Sequence, residues 1–471
     1  MTRSTLHTGV VLMFAAAALA AGMRPAAAQG FGLYEQGACA MGRAGAGVAS
    51  PCADGSAVFF NPAGLALTTG ARVASIGFTG IAPRGNFTNT GTSAVSPLED
   101  HTYFAPSGYA AAPLGKRAVL GVGVFAPYGL TVDWPTTSEG RFLSYRTSLQ
   151  SVYIQPTVAF RLNDQVLVGG GLDITRTSLD FRKRIDLSTQ LLCTSSGCVT
   201  TPFGTPLTFA VIGVPPGTDF ADSDLSGSGV KLGGHVGVIV RPNDRFSIGA
   251  RYMTRQSVGI DNGTLTITQV PTNFRLPVTL GPGLPAGTPI DPLLAPNFAA
   301  GQALSNQTAS TTLPLPDQFV AGIAAHVSDP LMIFVDYQYT HWKLLDQLVI
   351  ASQFLPTTTI VLNYQDAQGV RAGGEYKLRM ATVRGGVDVH SAASPDESVT
   401  PLLPEGQRQE VAAGVSLPVG RVGSIDLAYM FIHQSDRNGR TVDAAVPTTA
   451  LNNGQFHYNA NLFGASFAVK F

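Results

Sequence analysis

The sequence predicts an all-β protein whose fourteen antiparallel strands close into a transmembrane β-barrel, with an N-terminal hatch, or plug, inside the lumen. Three observations predict this fold class. Charged residues make up only 13% of the chain, whereas soluble proteins carry about 25% to cover a water-exposed surface. Apolar and polar residues alternate with period two along many segments, and short turns alternate with long connections, which is typical of outer-membrane barrels.

The first 28 residues have the pattern of an export signal. Arg3 supplies the positive end, residues 9–21 form a short apolar core, and residues 26–28 form a small-residue cleavage site. A membrane anchor is the alternative, but the apolar run is shorter than the ~20 residues that a spanning helix needs. We therefore expect the mature chain to begin at Gln29.

Turn positions define the predicted barrel, residues 71–471. Short turns join pairs of alternating segments as hairpins, at 114–116, 163–164, 242–244, 328–330, 378–380 and 418–422. These hairpins supply twelve strands, and a first strand near 71–82 and a last one near 456–471 complete fourteen. The long connections, notably 176–229 and 257–318, are predicted extracellular loops, and the even strand number places both chain ends in the periplasm.

Alternation also predicts which face of each strand meets lipid. Val370 lies on the predicted lipid side and Arg371 on the lumen side, and Phe463, Phe467 and Phe471 lie on one face of the last strand. A terminal phenylalanine on the lipid side resembles the signal that the barrel-assembly machinery recognises. This machinery is therefore an expected partner, together with membrane lipid and lipopolysaccharide.

Residues 29–70 precede the first strand and are small and apolar rather than charged. Because a fourteen-stranded barrel leaves a lumen, we expect this segment to fold inward as the hatch. Its predicted bend is Asn61, Pro62, Ala63 and Gly64, and its predicted apolar ligand path is Phe59, Phe60, Leu65 and Leu67. A flexible periplasmic tail is the alternative, but its phenylalanines would be unprotected from water.

Four cysteines form two close pairs in the sequence, Cys39 with Cys52 and Cys193 with Cys198. Export places them in an oxidising compartment, where local disulfides are expected, first of all between Cys193 and Cys198. No histidine accompanies either pair, so neither a metal site nor a cofactor is predicted.

Several segments in this order resemble a family of outer-membrane transporters of long-chain fatty acids and aromatic hydrocarbons, the FadL and toluene-transporter family. They are GRAGAGVAS, VFFNPAGL, GVGVFAPYGL, SVYIQPTVAFRLNDQ, LPLPDQF, DYQYTHW and NANLFGASFAVKF. The resemblance implies a fourteen-stranded barrel, a mobile hatch at Asn61–Pro62–Ala63, an apolar groove between the two longest outer loops, and a side opening at an inward kink of the third strand.

Two assignments stay open at this point. The kink would involve Phe125, Pro127 and Gly129, because proline lacks the N–H that a central strand position donates; alternatively, Pro127 marks only the outer end of the strand. Arg176, where the fifth strand is expected to end, could meet a carboxylate head group or contact lipopolysaccharide.

The predicted function is passive uptake of hydrophobic small molecules by a monomer in the outer membrane of a Gram-negative bacterium. Basic and acidic residues are equal at 30 each, so a nucleic-acid partner is not indicated. A lipase is disfavoured because the chain has no GxSxG motif and its histidines are scattered over separate strands and loops. A general porin or an adhesin-like barrel without hydrophobic transport is the alternative, and fatty acids, alkanes, monoaromatics and terpenes would all satisfy an apolar groove.

Overall fold

The computed structural model describes residues 31–68, 70–191, 193–194, 197–198, 204, 206–279, 284–439 and 453–471. The predicted export signal therefore lies outside the described residues. Within these ranges, none of the helices combines the length and the apolar composition required to cross a membrane.

Fourteen antiparallel strands form a closed barrel, as predicted. They are β1 (Val73–Asn89), β2 (Tyr103–Leu114), β3 (Ala118–Asp133), β4 (Arg146–Arg161), β5 (Val166–Asp186), β6 (Asp219–Asn243), β7 (Phe246–Met253 and Gln256–Gln269), β8 (Gln307–Leu315 and Gln318–His326), β9 (Leu331–Thr340), β10 (Ala367–Lys377), β11 (Thr382–His390), β12 (Arg408–Val419), β13 (Gly423–Asn438) and β14 (Gly454–Lys470). Closure occurs where β1 pairs with β14 along its whole length, from Val73 opposite Lys470 to Asn89 opposite Gly454.

The remaining elements are short. Helices α1 (Ala38–Met41) and α2 (Ala57–Phe60) and a 3₁₀ helix (Pro62–Thr68) precede β1, and α3 (Asp291–Leu294) lies between β7 and β8. Further 3₁₀ turns and short strands lie in the outer loops: Val95–Pro97, Glu139–Phe142, Leu187–Thr189, Cys193–Thr194, Gly197–Cys198, Phe209–Ile212, Ala295–Phe298, Trp342–Leu344, Gln347–Ser352, Thr358–Val361 and Asp396–Ser398.

Strand faces follow the predicted alternation. Val383 and Phe463 are exposed on the outer surface, whereas Arg371 and Asp388 are buried inside and form an ion pair of 2.8 Å across β10 and β11. A charged pair on the lumen side avoids the cost of placing an arginine against lipid, about 2–4 kcal/mol at the membrane midplane.

Strands β5 to β8 extend further toward the outer loops than the sequence indicated. β5 continues to Asp186 and β6 begins at Asp219, while β7 ends at Gln269 and β8 begins at Gln307. The long loops are therefore 187–218 and 270–306, rather than 176–229 and 257–318. The residues reassigned to β5 and β6 still alternate between buried and exposed positions, but many are small and polar, which obscured the strand signal.

Candidate functional site

Residues 31–68, called the plug below, lie inside the barrel and contact its inner wall. The Asn61 side chain is fully buried and donates from Nδ2 to the carbonyl oxygens of Val48 (2.8 Å), Val238 (3.0 Å) and Ala250 (3.3 Å). Val238 on β6 and Ala250 on β7 are paired residues, so one amide joins the plug to two adjacent strands. Its Oδ1 accepts from the Ala63 N–H at 3.1 Å, which fixes the turn before the 3₁₀ helix.

Wall glycines make room for this segment. A Cβ atom added to Gly169 on β5 would lie 2.5 Å from the carbonyl carbon of Pro62, and one added to Gly386 on β11 would lie 2.4 Å from that of Arg43. A side chain at either position would overlap the plug backbone. Glycine inside these strands therefore marks where another backbone approaches closely.

Charged side chains of the wall hold the plug backbone. Asp336 Oδ2 on β9 accepts from the N–H groups of Gly47 (2.7 Å) and Val48 (2.9 Å), and Arg251 Nη1 on β7 donates to the Phe59 carbonyl (2.8 Å). Asp336 and Arg251 were not among the predicted site residues. Their alternation places them on the lumen side, but no local motif distinguishes them from other lumen-facing charges.

The predicted apolar path packs between plug and wall. Phe59, Phe60 and Leu65 are buried, and Leu67 is partly buried. The Phe59 ring lies 5.0 Å from the Phe125 ring on β3, measured between centroids. These side chains fill space in the present conformation, and their contact with a ligand stays a prediction.

The wall is interrupted beside β3. The ladder between β2 and β3 begins at Leu114 opposite Ala118 and ends at Gly108 opposite Val124. The β3–β4 register shifts between Phe125 and Tyr128, which is a bulge at the position of Pro127. Because β3 continues to Asp133, Pro127 interrupts this strand rather than marking its end.

The N-terminal segment occupies the interruption. The Leu33 N–H donates to the Pro127 carbonyl at 2.8 Å, and the Gly129 N–H donates to the Phe31 carbonyl at 3.0 Å. Gln36 Nε2 donates to the Ala126 carbonyl at 2.8 Å. The plug thus satisfies three backbone groups in the part of β3 that does not pair with β2.

A cavity of about 160 Å³ crosses the wall at this gap. Its lining includes Phe31, Leu33 and Glu35 of the plug and reaches Leu462 inside the barrel and the outward-facing Val152. Most of the lining is apolar, and burial raises the pKa of the Glu35 carboxyl above its usual value. The lining of this cavity suits a hydrophobic molecule.

A second cavity, of about 370 Å³, lies among the outer loops. Phe142, Phe181, Leu225, Leu304 and Leu402 contribute to its lining. They come from two strands and three loops, so apolar side chains of several outer connections line one interior. The groove between the two longest loops stays a prediction.

Comparison with known proteins identifies the relationship. Residues 17–471 match the family described as outer membrane protein transport protein (OMPP1/FadL/TodX). The chain belongs to this family.

Relatives match along the whole chain. Outer membrane protein P1 of Haemophilus influenzae is 24% identical over 98% of each chain, and a long-chain fatty acid transport protein of Escherichia coli O157:H7 is 24% identical over 100% of each. The barrel is similar to a Pseudomonas aeruginosa FadL homologue (TM-score 0.74, 18% identity, 94% and 99% of the two chains) and to the Pseudomonas putida toluene transporter TodX (TM-score 0.66, 16% identity, 94% and 99%). This OMPP1/FadL/TodX chain is therefore an outer-membrane transport protein of the β-barrel type.

Arg176 does not lie at the end of β5, where the sequence predicted it. β5 continues to Asp186, and the Arg176 side chain is exposed on the outward face, with Nη2 3.4 Å from Ser228 Oγ. It is not among the lining residues of either cavity described above. The head-group role therefore has no geometric support, whereas a lipopolysaccharide contact stays a prediction.

One cysteine pair is joined within the plug. A disulfide connects Cys39 and Cys52. Cys193 and Cys198 are paired across a two-stranded ladder, but their side chains lie outside the described residues. The Cys39, Cys52 and Asp54 side chains also cluster closely enough to suggest a metal site; the two sulfurs are bonded to each other, so thiolate ligands are not available.

One of the scattered histidines, His235, has polar partners on the two preceding strands. His235 Nε2 lies 2.9 Å from Thr157 Oγ1, and His235 Nδ1 lies 2.5 Å from Asp173 Oδ1. Adjacent strands bring these distant residues together in a hydroxyl–imidazole–carboxylate line. All three side chains are buried, and their contacts join three adjacent strands of the wall.

Proposed function

We propose that this outer-membrane protein carries hydrophobic small molecules passively across the outer membrane, with residues 31–68 as the hatch. The observation that supports this most directly is the largely apolar cavity beside β3, which reaches both the lumen and the lipid-facing surface. An apolar solute gains about 25 cal/mol for each Å² hidden from water. Such a passage therefore needs no energy source to bind its cargo.

The proposed route begins in the outer cavity and continues through the lumen to the gap. Ligand in the gap would contact Phe31 and Leu33, the segment that pairs with β3. Displacing this segment would widen the opening toward the membrane. The bulge at Pro127 supports lateral release because β2 does not pair with β3 beyond it.

The proposed cargo is a long-chain fatty acid or an aromatic or aliphatic hydrocarbon. The relatives support this class, since they include a long-chain fatty acid transport protein and a toluene transporter. A plugged lumen favours this function over a general porin. Assembly through the terminal strand with Phe471, contact with lipopolysaccharide, and a monomeric state belong to the same proposal.

Blocking the gap tests the proposal. Ala105 on β2 lines the cavity, whereas Ala110 on the same strand faces outward where the ladder to β3 is intact. In a strain that lacks its own transporter of this family, we expect Ala105→Trp to reduce uptake of radiolabelled oleate and of toluene to the background of the empty strain. Ala110→Trp should transport like the unmodified protein at equal outer-membrane abundance. Equal uptake by the two variants would remove lateral release through this gap.

A further inference from the structure

A chain of hydrogen bonds crosses the lumen between the β3 bulge and the plug turn. The Tyr128 hydroxyl, next to Pro127, donates to the Pro316 carbonyl at 2.8 Å and accepts from Gln318 Nε2 at 2.8 Å. Arg251 Nη2 donates to Gln318 Oε1 at 3.0 Å, and Arg251 Nη1 donates to the Phe59 carbonyl at 2.8 Å. Phe59 lies two residues before Asn61, so the chain is continuous from the wall opening to the hatch.

Each link is buried, and the side-chain polar atoms of Tyr128 and Gln318 are all hydrogen-bonded. Tyr128 and Gln318 are completely buried, and Arg251 is 5% exposed. Gln318 Nε2 also donates to the Tyr34 hydroxyl at 2.9 Å, so both ends of its amide are occupied. Rotating this amide would break all of these bonds at once. Such a rotation is costly, because it leaves several buried polar groups without a partner.

Arg251 ties the chain to the plug by a second contact. Its guanidinium lies 4.2 Å from the centroid of the Phe59 ring. Among the described residues, no ion pair of Arg251 with a carboxylate is found, and its partners are a carbonyl, an amide oxygen and an aromatic face. A buried cation whose direct partners are neutral groups depends on their positions, since these partners replace part of its lost hydration.

We propose that the Tyr128–Gln318–Arg251 chain couples the β3 opening to the Asn61–Pro62 turn, so that disturbing one end loosens the other. The purpose of this coupling rests on the proposed function. The coupling itself does not, because it concerns two sites of the protein without ligand. Gln318 and Arg251 are positioning residues in this scheme. They hold the hatch in register with the opening.

Hydrogen exchange measured by mass spectrometry on the purified protein in detergent tests the coupling. Tyr128→Phe removes one hydroxyl at the β3 end and keeps the ring. We expect amide exchange in residues 57–64 to accelerate about fivefold, the change that loss of one hydrogen bond produces. Tyr153→Phe is the control, because Tyr153 is equally buried beside Phe125 but its hydroxyl is not part of the chain.

A double-mutant cycle distinguishes coupling from two independent effects. Gln318→Leu should accelerate residues 57–64 and 126–130 together, and adding Tyr128→Phe to it should change exchange in residues 57–64 no further. Arg251→Met replaces Gln318→Leu in the same cycle if the latter does not fold. Effects of Tyr128→Phe confined to residues 126–130, or effects that multiply in the double variant, would overturn the proposal. Since the assay uses no cargo, a failure of uptake through the gap leaves its result unaffected.

Discussion

Replacing Gly169 with alanine is expected to dislodge the Asn61–Pro62 turn from the wall. The new Cβ would lie 2.5 Å from the Pro62 carbonyl carbon and 2.7 Å from the Ala63 nitrogen, which are backbone atoms that cannot rotate away. Ordinary contact begins at 3.4 Å, so the turn must retreat by about 0.9 Å (3.4 minus 2.5). Overpacking of this kind costs about 1–3 kcal/mol. The undocked fraction of the turn should therefore rise about 5- to 150-fold.

Hydrogen exchange in residues 57–68 and single-channel conductance in planar bilayers measure this effect. Both should increase in Gly169→Ala. Gly385→Ala is the matched control, because its Cβ would meet nothing closer than the Ala412 carbonyl oxygen at 3.8 Å. Gly386→Ala, beside it but facing inward, should instead loosen residues 42–46, where it meets Arg43. If Gly169→Ala exchanged at residues 57–68 like Gly385→Ala, contact with the wall would not hold the turn.

Four further changes have defined outcomes. Asp336→Leu leaves two plug amides without their acceptor, so exchange near residues 45–50 should rise, at a cost of about 1–3 kcal/mol for each amide; unchanged exchange would contradict the anchor. Cys39→Ser opens the disulfide, and the plug should lose about 3 kcal/mol of stability, an effect that reductant must reproduce on the unmodified protein in thermal melting. Val387→Arg places a charge on the lipid face near the middle of β11 at about 2–4 kcal/mol, so the folded fraction on a heat-modifiability gel should fall. Burial raises the pKa of the Glu35 carboxyl, so the stability that Glu35 contributes is complete below its pKa in the unfolded chain and is lost as pH rises through the raised pKa. Hydrogen exchange of the plug, corrected for the intrinsic exchange rate, should therefore increase between these two pKa values. The increase should be smaller in Glu35→Gln.

Local patterns accounted for the barrel, the turns and the strand faces. Each inner hairpin turn carries its own signal, and alternation at residues such as Arg371 and Phe463 identifies the two faces because a strand repeats every two residues. The same rule underestimated β5 and β6, whose outer halves are rich in small polar residues. It also predicted that β5 ends at Arg176, whereas the pairing of β5 with β6 continues to Asp186.

The sequence by itself determined that the chain forms a lipid-facing barrel of fourteen strands and that a small, apolar segment precedes it, because both follow from composition and short-range periodicity. Only the tertiary structure decided which wall residues meet that segment. Asp336 lies 289 residues from Gly47, and Gln318 lies 190 residues from Tyr128. Barrel closure and strand register bring such pairs together, and neither depends on the residues adjacent to them in the chain.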